Sequence, residues 1–109
     1  MTADKVRELI RVQSADNLTT INDHRISLEQ ALVTPQRISV IARQVADGRL
    51  QDQTLNVWLV GWEDSSDGYK IIMRDDGLQF GLASSGFPRD KYPILVGWYG
   101  NLLSAFLSM

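Results

Sequence analysis

Hydrophobic positions along this chain change their period three times, and each change marks an element. Over residues 2–13, Val6, Leu9, Ile10 and Gln13 fall along one side at helical spacing, with Thr2 placed to cap and Asp4 in the first turn. The stripe is narrow. Residues 14–22 are small and polar and read as loop, after which Ser27-Leu28-Glu29-Gln30 has the capping-box form and predicts a short helix over residues 28–33, ended before Pro35.

From Arg37 the period becomes two. Ile38, Val40 and Ala42 alternate with Ser39, Ile41 and Arg43 up to Asp47-Gly48, a strong hairpin signal. Residues 54–63 put Leu55, Val57 and Leu59 on one face and Trp58, Val60 and Trp62 on the other, so both faces are apolar and the strand is expected to be covered on both sides. The run EDSSDG at 63–68 is turn chemistry and is followed by a third strand over 69–74, with Tyr69, Ile71 and Met73 inward. Asp75-Asp76-Gly77 makes another tight turn into a fourth strand, where Leu78, Phe80 and Leu82 alternate with Gln79, Gly81 and Ala83.

Residues 92–109 carry no charge in a chain that is 22% charged, so they are expected in the core. Ile94, Leu95, Trp98, Leu102, Ala105, Phe106 and Met109 recur at spacings of three and four, and Pro93 suits a first turn, which favours one helix over 93–108. Gly97 and Gly100 each disfavour a helix interior by roughly 1 kcal/mol, so the competing reading is a strand over 94–98 with Asn101 capping a shorter helix. A membrane span is disfavoured by Pro93, the two glycines, Asn101 and two serines.

Together these elements predict an α+β fold in one domain: a helical region at 2–35, a four-stranded antiparallel β-meander over 37–83, a loop at 84–91 and a C-terminal helix packed on the sheet. At 109 residues and 44% hydrophobic content the chain can build a core without staples. The absence of cysteine excludes disulfides, thiol catalysis and the usual zinc sites, and the N-terminus shows no apolar leader, so the expected location is cytoplasmic. A net charge of −2 with no run of Lys or Arg speaks against nucleic acid as a partner.

Candidate chemistry is thin. His24, between Asp23 and Arg25, is the lone histidine, and sequence neighbours do not make a dyad because their side chains diverge. Glu63, Asp64 and Asp67 fall in one turn, Asp75 and Asp76 in a turn at the other end of the third strand, which gives paired-carboxylate chemistry no geometry. GLASSG at 81–86 matches neither a P-loop nor a nucleophile elbow. No catalytic residue, metal or cofactor is therefore assigned, and the chain is not read as an enzyme.

The aromatic content is the informative excess. The final helix can cover one sheet face only, and the thin N-terminal stripes leave the Trp58 face short of cover. The expectation is a non-catalytic interaction protein, homodimeric, holding a protein partner by an apolar and aromatic surface drawn from Trp58, Val60, Trp62, Tyr69, Phe80, Phe87 and Trp98. An inhibitor or immunity-type role against a basic partner fits the acidic turns. The alternative is a small-molecule-binding domain with an aromatic-lined pocket for an apolar ligand between sheet and helices, lined by Trp58, Trp62, Tyr69, Phe80 and Trp98.

Overall fold

The computed structural model describes residues 1–63, 68–85 and 90–109. Helix α1, Ala3–Ser14, begins as its sequence predicts, with the Thr2 hydroxyl accepting the Lys5 N–H at 3.3 Å. Helix α2, Leu28–Ala31, carries the full capping box: the Gln30 N–H donates to the Ser27 hydroxyl at 3.2 Å, and the Ser27 N–H to Gln30 Oε1 at 2.9 Å. It stops two residues earlier than the spacing predicts. Val33 and Thr34 are β-branched and Thr34 precedes a proline, so both favour extended backbone, and the chain runs straight into a strand.

That strand, β1 (Leu32–Ala46), pairs antiparallel with β2 (Arg49–Trp62) around a two-residue loop. Asp47 and Gly48 both have positive φ, 52° and 74°, as the loop of a type I′ hairpin requires. The ladder is irregular between Leu32 and Gln36, which lets Pro35, lacking an N–H, sit in β1 without breaking a paired stretch. β3 (Lys70–Arg74) and β4 (Phe80–Ser84) complete the antiparallel succession through a turn held by the Arg74 N–H on the Gln79 carbonyl at 2.8 Å.

The C-terminal stretch corrects the expectation. It is not one helix over 93–108 but strand β5 (Ile94–Gly100) followed by α3 (Leu102–Leu107), with Asn101 Oδ1 accepting the Ser104 N–H at 2.8 Å. Ile94, Val96, Trp98 and Tyr99 favour a pleated strand, and Gly100, at φ 87°, makes the corner into the helix. The four-stranded meander is accordingly part of a larger sheet. β5 pairs antiparallel with β4 and parallel with β1 at Ile41 and Ile94, where the Ile41 N–H reaches the Pro93 carbonyl at 2.8 Å. The five strands close into a barrel in the order β1-β2-β3-β4-β5, in which β5 takes up the β4 edge and meets the β1 edge at Ile41.

Each face of the closed sheet has its own core. On one, Trp58, Val60, Ile71, Met73, Phe80 and Leu82 pack with Val6 of α1, Leu28 and Ala31 of α2, and Leu102, Ala105, Phe106 and Met109 at the C-terminus. On the other, Val40, Val57, Ile72 and Ala83 are joined by Ile38, Leu55, Leu95 and Trp98. α3 therefore covers the Trp58 side of β2 and not the Leu55 side, which β5 helps to cover. Buried Asn22 ties the N-terminal loop to the chain end, donating through Nδ2 to the Phe106 carbonyl at 3.3 Å and accepting the His24 N–H at 3.0 Å.

Candidate interaction surface

The aromatic surface anticipated from sequence is not assembled. Val60, Phe80 and Trp58 are 0%, 1% and 6% exposed and belong to the helix-covered core, with Tyr69 packed at its margin. Trp98 packs against the core of the opposite face. Trp62, 38% exposed, reaches solvent, and Phe87 lies outside the described residues. The face expected to want a cover has one because three thin helical stripes converge on it, each contributing a few side chains. The Trp58 indole N–H is satisfied too, donating to Asp75 Oδ1 at 3.2 Å, while the Arg37 guanidinium pairs with Asp75 and lies 5.2 Å from the indole centroid.

His24 finds a carboxylate far along the chain. Its Nδ1 lies 2.6 Å from Glu63 Oε2, and Glu63 Oε1 accepts the Tyr69 N–H at 3.1 Å, so the pair fastens the N-terminal loop to the end of β2. Asp76 is held by Arg74 at 2.8 Å and by the Leu78 N–H at 2.9 Å, which keep its carboxyl below the usual aspartate range. Asp64 and Asp67 lie outside the described residues, as does Gly86 of the GLASSG run, whose Ser84 is a strand residue opposite Ile94. Among the described residues no three His, Cys, Asp or Glu side chains converge as metal ligands, and no helix is long and apolar enough to cross a membrane.

What does stand apart is the far half of the β1–β2 hairpin. Among the described residues β3 pairs with β2 only from Val57 onward, and β5 registers with β1 only at Ile41. Past the Ala42–Gln53 pair, the hairpin continues through Arg43–Asp52, Gln44–Gln51, Val45–Leu50 and Ala46–Arg49 with no third strand among the described residues. This arm accounts for strands of 15 and 14 residues in a molecule whose longest dimension is 44 Å. At its base Arg43 grips Asp52 with two bonds of 2.8 Å and Asp90 at 2.9 Å, and the two carboxylates push the guanidinium further above its already high range. Near its tip Val45 and Leu50, directly opposite each other, are 71% and 63% exposed.

Sequence reasoning passed over the arm, although a signal was present. Between Ala42 and Gln53 only Val45 and Leu50 are large and apolar, so the alternation that marks a buried strand face fades on both sides of the Asp47-Gly48 turn. An open groove of about 370 Å³ between α1 and the start of β1 is lined by residues including Ile10, Leu32, Val33, Arg7 and Arg11, and by none of the aromatics proposed for a pocket. No family model, curated protein or solved structure was found to match this chain.

Proposed function

We propose that this is a small non-catalytic interaction protein that holds a protein partner, in the first place another copy of itself, by the β1–β2 arm. The observation that carries the reading is the arm itself: a ribbon with no third strand among the described residues and an apolar pair at its exposed end. A two-stranded ribbon alone is marginal in water, and a partner laid against it supplies the missing contacts. An inhibitor or immunity-type role directed at a basic partner draws less support, because Asp75 and Asp76 are already paired with Arg37 and Arg74.

Sedimentation velocity across the micromolar range tests the proposal, with Leu50→Glu as the probe. The expected result is a dimeric wild type and a monomeric variant that keeps the wild-type circular dichroism spectrum and a cooperative thermal transition, since Leu50 contributes little to the core. A wild type that stays monomeric throughout that range, or a variant that dimerises as well as the wild type, overturns it.

A further inference from the structure

The geometry points to a particular form of that contact: the β2 edge of one arm adds antiparallel to the β2 edge of a second copy, centred on Gln51, so that two arms make one four-stranded ribbon. The inference rests on the proposal that the arm is the contact element. The two-residue loop fixes which backbone groups are committed. Ala46 and Arg49 close the loop and exchange both hydrogen bonds, and alternation makes Gln44–Gln51 and Ala42–Gln53 pairs of the same kind. The intervening residues of β2, Leu50 and Thr54 among them, then direct N–H and C=O away from β1. The same phase appears on β1, where the Ile41 N–H, opposite Thr54, points outward to Pro93.

The two edges of the arm are not equivalent. Beside β1 lie Pro93 and Asp90, bound to Ile41 and Arg43. Beside β2, over residues 49–56, no strand runs among the described residues, and a row of outward backbone groups of this kind is a template for another strand.

A two-fold axis perpendicular to such a sheet must pass through a residue facing its own symmetry mate, which leaves few registers. Centring on Asp52 sets two carboxylates, each already bound by its own Arg43, directly against each other, so the central pair gains nothing. Centring on Gln53 drives each tip alongside Trp58 of the other copy, a place already filled by β3 through its Trp58–Met73 pair. Centring on Leu50 pairs little more than Arg49 to Gln51. Centring on Gln51 sets Leu50 against the partner's Asp52 and Arg49 against the partner's Gln53, opposes no like charges, and runs Gln44 and Gln51 into the same two residues of the second copy. The arm's Arg43, Asp47, Arg49 and Asp52 also sum to zero, so joining two arms adds no net repulsion.

A chain without cysteine makes the test clean. At the centre of the register the two Gln51 positions form a non-hydrogen-bonded pair, with Cα atoms about 4.5 Å apart. That spacing lies within reach of a disulfide, so under mild oxidation at micromolar concentration Gln51→Cys should give at least about tenfold more cross-linked dimer than Gln53→Cys. In hydrogen exchange the Leu50 amide should gain protection as protein concentration rises while that of Gln51, already bonded to β1, does not. A sedimenting wild-type dimer in which Gln51→Cys cross-links no better than Gln53→Cys overturns the strand pairing and leaves the arm as an interaction surface. A monomeric wild type overturns both.

Discussion

A methyl group added to Gly81 would stand 2.3 Å from the Gly97 carbonyl oxygen and 2.7 Å from Cε3 of Trp98, so β4 and β5 approach here only because residue 81 has no side chain. The obstacle is backbone on one side and a packed indole on the other. Gly81→Ala should therefore cost about 1–3 kcal/mol or more, read as a lower denaturation midpoint with unchanged slope. Trp58→Glu would place a carboxylate among Val60, Met73 and Phe80; the expected outcome is an unfolded chain by circular dichroism, not a folded monomer. His24→Ala, by contrast, removes one half of a partly exposed contact with Glu63 and should cost under about 1 kcal/mol in the same denaturation assay. Asp76 sets a sign for pH. Its folded carboxyl lies below the ordinary value because of Arg74 and the Leu78 N–H, so its contribution is complete above the value in the unfolded chain and is lost as pH falls through the folded one. Asp76→Asn should flatten the loss of thermal stability below about pH 4, and an acid limb of unchanged slope would count against that assignment.

At the scale of elements, α3 is short yet indispensable. Removing residues 101–109 strips Leu102, Ala105, Phe106 and Met109 from the core, and losing a buried Phe alone typically costs about 3–5 kcal/mol. That chain should show no cooperative thermal transition. The helical ends that cover the sheet were legible wherever a local signal names them: Thr2 as cap, Ser27 and Gln30 as capping box, Asp47-Gly48 as turn. Residues 94–100 were misassigned because spacings of three and four suit a helix, whereas pairing with Phe80–Ser84 on one side and Ile41 on the other is a tertiary gain that no local period reports. The His24–Glu63 contact and the convergence of three helical stripes over Trp58 were hidden for the same reason: each depends on where the closed sheet brings distant segments. The arm was missed differently: apolar alternation fades between Ala42 and Gln53, so the sequence pattern begins the second strand at residue 54 and assigns nothing to residues 49–53.

For the molecule as a whole, consecutive strands are neighbours in space, and β1 against β5 is the exception. Among the described residues the ring is fastened there by the registered pair Ile41 with Ile94, with the Ile41 N–H on the Pro93 carbonyl. Such an arrangement assembles like a clasped bracelet. Antiparallel neighbours form early because little chain separates them, and the clasp, which must bring together residues from opposite halves of the chain, shuts last. It should also be the first to let go. Native-state hydrogen exchange gives the check: the Ile41 amide should be released through an opening of lower free energy than that governing Ile72, buried in the middle of β3. Equal free energies at the two amides would mean that the ring opens only by unfolding altogether. With the lower value, the molecule has an unclasped form in which β5 is free of β1 while the β1–β2 hairpin, arm included, stays intact.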